Sequence, residues 1–206
     1  RSPYSYLILP RMLKLKNEYN VDVNFKIVYP IAIRLPEFFR KKNILYFASV
    51  MVDIKKKAKK LNMSLNLPIK PDPIKQNTIT GKISDNQPYI FDVCHMGQLM
   101  CNRGKGMEFA YELSKAIWSV KNWNSDQILE NVFTEFGEDL QEVRDSIKQH
   151  ESQLIEEIEI NQMDQKEAGH HGVPLNVYNG NYYFGQDTPF DELIEELVKD
   201  GVIKEF

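Results

Sequence analysis

Residues 172–187 read Gly-Val-Pro-Leu-Asn-Val-Tyr-Asn-Gly-Asn-Tyr-Tyr-Phe-Gly-Gln-Asp, and this stretch decides the fold. Two runs rich in β-branched and aromatic residues, 175–178 and 182–184, flank the dipeptide Asn179-Gly180. Asn-Gly favours a type I′ turn because both of its residues tolerate positive φ. We therefore predict a β-hairpin, with Pro174 at the mouth of its first strand because proline has no N–H to give to a ladder.

A helix is predicted directly after the hairpin. Thr188 suits the N-cap, and Pro189 suits the first helical position. Apolar residues then recur at helical spacing, at positions 190, 193, 194 and 197, until Gly201 ends the helix.

The first 30 residues predict a helix followed by a strand. Ser2 suits the N-cap and Pro3 the first helical position, and we expect the helix to continue to about Tyr19. Apolar residues alternate with polar ones over 21–29, which predicts a strand with one covered face. A helix and a strand in this order make half of a βαβ unit, whose other strand, expected before Ser2, is not in this sequence.

Helical patterns fill the middle of the chain. We predict a short helix at 37–40 and longer helices over 45–61, 88–102, 107–120 and 125–137, with two more within 139–166 and a proline-rich loop over 66–87. Five lysines between positions 55 and 60 cover one side of the second of these helices. We interpret them as a solvated face, with a functional basic patch as the less favoured alternative.

The order Gly-Val-Pro, hairpin and final helix resembles the second half of a thioredoxin fold. We therefore predict an α/β chain, with a thioredoxin-like domain formed by 1–37 and 168–206 and a large all-helical insertion over 38–167. The resemblance implies that the bond between Val173 and Pro174 is cis and faces the active site.

Composition excludes several classes of protein. The formal net charge is −3, which gives no reason to expect a nucleic-acid partner, and no apolar run approaches the roughly 20 residues that span a bilayer. Cys94 and Cys101 would lie roughly 10 Å apart on one helix, too far for a disulfide. Reduced cysteines fit a cytoplasmic location, although the chain opens inside a motif, which leaves a signal peptide open.

The segment Ser2-Pro3-Tyr4-Ser5 lies where thioredoxin-fold oxidoreductases carry Cys-x-x-Cys. Two serines cannot perform dithiol exchange, which needs a thiolate. A hydroxyl at the positive end of a helix can instead stabilise the thiolate of another molecule. Such a hydrogen bond is worth about 1.5–3 kcal/mol and the helix end about 0.3–1, enough to lower a thiol pKa by about one to two units. The alternative is that Ser2 only caps its helix.

Several segments together resemble the 2-hydroxychromene-2-carboxylate isomerase family, which is related to kappa-class glutathione transferases and to DsbA-type oxidoreductases. The resemblance covers nearly the whole chain and rests on Ser-Pro-Tyr-Ser-Tyr at 2–6, Pro-Asp-Pro-Ile at 71–74, Gln-Pro-Tyr-Ile at 87–90, Ala-Ile-Trp-Ser at 116–119, Gly-Val-Pro at 172–174 and Phe-Gly-Gln-Asp at 184–187.

The resemblance implies a bound glutathione. Ser2 would face its sulfur, and the backbone at Val173, between Gly172 and Pro174, would pair with the tripeptide as an added strand does. Gln186 and Asp187 would hold the γ-glutamyl end, with backbone N–H groups taking its carboxylate and Asp187 its ammonium. The alternative for Asp187 is a charge that only stabilises the helix start.

Some positions depart from the family or stay open. Thr188 stands where the family usually has arginine, so one expected charge is absent. Lys41 and Lys42 are both candidates for the lysine expected near the glycyl carboxylate. His170-His171 lacks a third ligand at a suitable spacing, so we expect no metal, although His171 could line the pocket. Tyr4, Tyr6 and Trp118 form either an apolar wall for an aromatic substrate or part of the core.

The leading functional hypothesis is a glutathione-dependent isomerase that acts on a small aromatic or otherwise unsaturated carbonyl compound. The alternatives are a kappa-like glutathione transferase or peroxidase with the same pocket, and a thioredoxin-fold binding protein without turnover. The family also suggests a homodimer.

Overall fold

Nine α-helices and one two-stranded sheet form the part of the chain that the computed structural model describes, namely residues 1–40, 42, 44–67, 69–77 and 80–206. In chain order the elements are α1 (Pro3–Glu18), α2 (Ile31–Arg34), α3 (Glu37–Arg40), α4 (Ile44–Lys60), α5 (Ile90–Asn102), α6 (Gly106–Ser119), α7 (Asp126–Thr134), α8 (Leu140–Glu167), β1 (Leu175–Tyr178), β2 (Asn181–Phe184) and α9 (Thr188–Lys199).

The hairpin and the cis proline are confirmed. β1 and β2 pair antiparallel, with Leu175 opposite Phe184. Asn179 and Gly180 have φ of 49° and 78°, the pair of positive values that a type I′ turn requires. The Val173–Pro174 bond is cis, as the thioredoxin resemblance implied.

Helix α1 lies between two hydrophobic cores. Its Tyr6 and Leu7 belong to the larger core, here called the helical core, which α4–α8 complete with large buried side chains: Ile54, Met100, Phe109, Trp118, Phe133 and Leu154. Its Ile8 and Leu15 belong to the smaller core, here called the hairpin core, with Tyr183, Phe190, Leu193, Leu197 and Ile203. The mostly helical content beside a small sheet is as predicted, while the division at residues 37/38 and 167/168 stays a prediction.

The strand predicted over 21–29 is wrong. The segment has the predicted alternation of exposed and partly buried side chains, but it joins neither β1 nor β2. Amide side chains of α8 bond to its backbone instead: Asn161 Nδ2 donates to the carbonyl of Ile27 at 2.9 Å, and the N–H of Tyr29 donates to Gln162 Oε1 at 3.2 Å. Alternation creates a covered face, but a strand also needs a second backbone beside it.

Two of the remaining helix predictions differ from the structure, and one agrees with it. The turn expected over 30–36 contains the short α2. The two helices expected within 139–166 are present as the two parts of the 28-residue α8, which meet at a kink at His150, whose φ and ψ of −114° and 18° are not helical. Asp187, not Thr188, is the N-cap of α9, and its side chain makes no capping bond because it is bonded elsewhere, as described below.

Candidate functional site

Ser2 begins α1 as predicted. Its φ and ψ of −62° and 125° are extended, and its Oγ accepts a hydrogen bond from the N–H of Ser5 at 3.3 Å. A serine hydroxyl has one proton to donate and can accept two bonds. Capping therefore fixes the position of Oγ and leaves its O–H proton able to donate to a nearby anion.

The loop before β1 is held by side chains on both sides. Gln165 Nε2 donates to the carbonyl of Gly172 at 2.7 Å, and the N–H of Gly172 donates to His170 Nδ1 at 2.9 Å. A Cβ at Gly172 would lie 2.3 Å from Phe184 Cε2, so only glycine fits there without a shift of the ring. The carbonyl of Pro174 accepts from the N–H of Gly185 at 3.0 Å, which joins this loop to the segment before α9.

The start of α9 is bonded to α1. Gln186 is buried, and Arg11 of α1 donates to both its backbone carbonyl and its side-chain Oε1, the latter at 3.0 Å. Gln186 Nε2 in turn donates to Asp187 Oδ1 at 2.5 Å. The Arg11 guanidinium lies over the ring of Phe190, 4.5 Å from its centroid. These contacts fix the predicted glutathione-binding pair Gln186–Asp187 against the middle of α1.

A chain of four polar side chains, here called the polar bridge, connects the first turn of α1 to Asp187. The hydroxyl of Tyr4 donates to Asp53 Oδ2 at 2.7 Å, and Lys57 Nζ lies 2.7 Å from the same carboxylate oxygen. Lys57 Nζ also lies 2.8 Å from Asp187 Oδ2 and 5.0 Å from the ring centroid of Tyr4. Because Tyr4 is two residues after Ser2, the bridge relates the two ends of the predicted site through α4.

The charges in the polar bridge stabilise one another. Burial raises the pKa of Asp53, but hydrogen bonds from Lys57 and Tyr4 outweigh this effect and hold the pKa below its usual value. Burial lowers the pKa of Lys57, and hydrogen bonds to Asp187 and Asp53 outweigh it and raise the pKa above its usual value. Burial and the bond to Asp53 both raise the pKa of Tyr4. At neutral pH the bridge therefore contains a lysine cation, the Asp53 anion and a neutral phenol.

The sequence pattern did not single out Asp53 or Lys57. Lys57 belongs to the lysine run that we interpreted as a solvated face, and Lys55, Lys56, Lys59 and Lys60 are indeed exposed. Lys57 differs because position 57 lies one turn after Asp53, on the side of α4 that meets α1. The only signal in the sequence is the Asp-Lys pair at i and i+4, which is common on solvated helices.

The Pro-Asp-Pro segment fixes the residue before Ser2. Arg1 donates from Nε to Asp72 Oδ1 at 3.0 Å and from Nη2 to Oδ2 at 2.7 Å. Trp123 Nε1 donates to the carbonyl of Pro71 at 2.7 Å. The loop over 69–74 therefore lies against the start of α1. The motifs at 2–6 and 71–74 are thus neighbours in the folded chain.

Of the three aromatic residues predicted to form either a pocket wall or part of the core, two lie in the core. Tyr6 and Trp118 are 2% and 1% exposed and lie in the helical core, so they do not form a pocket wall. Tyr4 is only partly buried and belongs to the polar bridge.

The histidines and cysteines bring no further chemistry to this region. The His170 ring packs on Phe184, with centroids 3.9 Å apart, and the His171 side chain is exposed. No group of three metal-binding side chains occurs among the described residues. Cys94 and Cys101 are both free, and burial raises the pKa of each thiol to about 12, so neither is a ready nucleophile.

Of the two lysine candidates for the glycyl carboxylate, the structure describes Lys42. Lys41 lies outside the described residues. The ammonium of Lys42 lies 4.8 Å from the ring centroid of Tyr46 and 5.1 Å from that of Phe38. Its role stays a prediction.

Two cavities of about 360 Å³ lie elsewhere, in the helical region. One is lined mainly by α7 and the start of α8, and the other by α5, α8 and the segment around Trp123. Neither is lined by Ser2, Val173 or Asp187. None of the helices in the described part of the chain has the length and apolar character that crossing a bilayer requires.

Comparisons with known proteins agree with this architecture. The sequence matches the DsbA-like thioredoxin domain family over residues 1–197, and no curated protein sequence matches it significantly. Among solved structures, the chain is similar to a selenomethionine-labelled 2-hydroxychromene-2-carboxylate isomerase, with a TM-score of 0.72 and 14% identity over 97% of this chain and 93% of the other. At that identity the likeness shows the fold alone. Because the family match extends over nearly the whole length, the chain belongs to the DsbA-like thioredoxin domain family.

Proposed function

We propose that this protein is a glutathione-dependent isomerase of the 2-hydroxychromene-2-carboxylate isomerase type, acting on an aromatic or otherwise unsaturated carbonyl compound. The observation that carries the proposal is the polar bridge, which connects Tyr4, two residues after Ser2 in the first turn of α1, to Asp187. The Gly185–Pro174 hydrogen bond extends this connection to the cis proline. The residues that the resemblance assigns to glutathione thus lie on segments that hydrogen bonds and ion pairs join to one another.

The backbone around Val173 fits a peptide ligand. Its N–H and C=O make no hydrogen bond within the described residues, whereas the carbonyls of Gly172 and Pro174 on either side are both bonded. An extended tripeptide can pair with such a free N–H and C=O as an added strand does. The bonded neighbours keep the segment rigid, so little ordering is needed when the peptide binds.

The charges at the start of α9 fit the γ-glutamyl end of glutathione. Asp187 can accept from its ammonium. In the first turn of α9, Pro189 has no N–H, and the N–H groups of Phe190 and Asp191 donate to the Asp187 carbonyl. The N–H of Thr188 therefore remains to bind the γ-glutamyl carboxylate.

Ser2 would act on the sulfur. Its O–H proton is free to donate to a thiolate while Ser5 holds its oxygen in place. Together with the positive end of the 16-residue α1, that donation favours the ionised thiol. Bound glutathione would supply a thiolate that adds reversibly to a conjugated carbon of the substrate. The protein would contribute the ionisation and the orientation of that thiolate.

The experiment is turnover of a chromene carboxylate with glutathione, by the wild type and by Ser2→Ala. We expect Ser2→Ala to lower kcat roughly 10- to 100-fold, the kinetic equivalent of losing one hydrogen bond to a charged group. Ser5→Ala is the matched control, since its backbone N–H still bonds to Ser2 and its side chain makes no bond in the described structure. Equal turnover by Ser2→Ala and the wild type would remove Ser2 from the mechanism.

Two further measurements separate the proposal from its alternatives. Conjugation of glutathione to a generic electrophile, without isomerisation of the chromene carboxylate, would favour a kappa-like transferase. Calorimetry that detects no glutathione binding to the wild type would favour a binding protein for another ligand. A homodimer and a cytoplasmic location stay predictions, and sedimentation analysis tests the first of them.

A further inference from the structure

Lys57 has an unusual position among the charged residues of α4. Its ammonium is bonded to two carboxylates, on Asp53 of its own helix and on Asp187 at the start of α9, and lies near the face of the Tyr4 ring. Its side chain is 26% exposed, so solvent reaches the group. A ligand that binds to Asp187 is therefore within reach of Lys57.

We infer that Lys57 and Asp187 form a charge pair that opens to bind an α-amino-acid zwitterion. Asp187 takes the ammonium of the ligand, and Lys57 takes its α-carboxylate. Under the proposed function, on which this inference rests, the zwitterion is the γ-glutamyl end of glutathione. Lys57 is then a specificity-determining residue for the charged end of the tripeptide.

The contacts around Lys57 and Asp187 allow a ligand to replace their ion pair. An ion pair between partly exposed groups is weak, because solvent screens it, so the Lys57–Asp187 contact is easily opened. Each of the two charges then gains a charge of opposite sign from the ligand. One ion pair is lost and two are formed, which favours a ligand with both charges over one with either charge alone.

Lys57 also stays in place when Asp187 is engaged by a ligand. An ammonium has three protons to donate, and its bond to Asp53 does not involve Asp187. Asp53 is held in turn by the hydroxyl of Tyr4. Asp187 keeps its bond from Gln186 Nε2. Both charged side chains are therefore already held in position before the ligand binds.

Neighbouring charges leave Lys57 as the cation closest to Asp187. The Arg11 guanidinium is directed to Gln186 and lies 3.6 Å from Asp191, with its Nη2 bonded to the Gln186 carbonyl. Position 188, directly after the aspartate, carries a neutral threonine. Among side chains, the geometry thus assigns the carboxylate of the zwitterion to Lys57 and not to a residue of α9, whose contribution is limited to the backbone N–H of Thr188.

The test is glutathione binding by calorimetry, with an analogue that lacks the α-carboxylate, 4-aminobutyryl-cysteinylglycine. We expect Lys57→Met to weaken glutathione binding roughly 10- to 100-fold, the loss of one charged hydrogen bond. The analogue should bind to Lys57→Met at least as tightly as to the wild type, because it has no carboxylate for Lys57 to hold and no longer has to open the Lys57–Asp187 pair. Lys60→Met removes the same charge from an exposed position of α4 and should leave both affinities unchanged.

Each other outcome overturns the inference. If Lys57→Met lowers the affinity for both ligands equally, Lys57 only shapes the site. If the affinity for glutathione is unchanged, Lys57 has no part in binding. In both cases the proposed function stands. Absence of glutathione binding to the wild type would overturn the proposed function and this inference together. Lys57→Gln, which keeps a hydrogen-bond donor without the charge, gives the same comparison if Lys57→Met does not fold.

Discussion

The helical core and the hairpin core flank the same helix but differ in what borders them. The helical core unites α1 with α4–α8 and contains most of the largest fully buried side chains, whereas the hairpin core joins α1 to β2 and α9 around Phe190. The polar bridge runs from α1 through α4 to the start of α9, past the edge of both cores. Stability and ligand chemistry are thus separated: apolar burial supports the fold, and partly exposed charges lie where the elements meet.

The largest expected effect is the loss of a core aromatic ring. Phe109→Ala in the helical core should lower the free energy of unfolding by about 3–5 kcal/mol, because the ring is fully buried and lies 4.8 Å from the ring of Phe133. Phe190→Ala should act similarly in the hairpin core. Urea denaturation of each variant measures both values.

The double variant tests whether the two cores are independent. If α1 only separates them, the losses for Phe109→Ala and Phe190→Ala should add to within about 0.5 kcal/mol. A larger deviation would show that α1 couples the cores. Val52→Ala, at a side chain that is 69% exposed, is the control and should change stability by no more than about 0.5 kcal/mol.

A smaller effect is expected where the hairpin meets the loop of the cis proline. Gly172→Ala should lower the free energy of unfolding by about 1 kcal/mol, the lower end for overpacking, because the new Cβ meets the partly exposed ring of Phe184. Thermal or urea unfolding measures the change.

Adding Phe184→Leu should restore part of the lost stability, since leucine lacks the ring atoms that lie closest to the new Cβ. If Phe184→Leu gives no recovery in the Gly172→Ala background, the strain lies in the backbone or against His170 instead.

The smallest expected effect is a pH dependence of the polar bridge. The pKa of Asp53 is lower in the folded chain than its ordinary 3.8. Ionised Asp53 therefore stabilises the fold above that value, and the contribution is lost as pH falls through the folded pKa. The stability difference between wild type and Asp53→Asn should be present at pH 7 and shrink below about pH 4.

Urea unfolding at pH 7, 5, 4 and 3 follows that difference. Asp85→Asn, at an exposed carboxylate outside the bridge, is the matched control and should track the wild type across the series. A constant gap between wild type and Asp53→Asn down to pH 3 would contradict the role given to Asp53.

Local signals in the sequence were sufficient for most elements. Asn179-Gly180 specified its turn because few other dipeptides tolerate two positive φ values, and Ser2-Pro3 specified the start of α1 because capping involves only neighbouring residues. The strand predicted over 21–29 failed for the opposite reason. The alternation of apolar and polar residues indicates only that one face is covered. No local pattern indicates that side chains of α8 will form hydrogen bonds with the backbone of this segment.

The candidate site shows the same division. Residues 172–174 and 186–187 could be identified from their resemblance to a family, because they form short motifs with a fixed spacing. Lys57 could not be identified as a site residue, because five lysines lie within six positions of α4. Which of them faces α1 and α9 depends on the orientation of the helix.

The sequence by itself determined the hairpin, the capped first and last helices and the helical character of the middle, because turn dihedrals, caps and periodicity depend on residues close together in the chain. Only the tertiary structure decided that α1 divides two cores, that the segment over 21–29 pairs with neither β1 nor β2 and that Lys57 meets Asp187. The last contact joins residues 130 positions apart. Such a pairing depends on how α1, α4 and α9 pack together, and no local pattern encodes that packing.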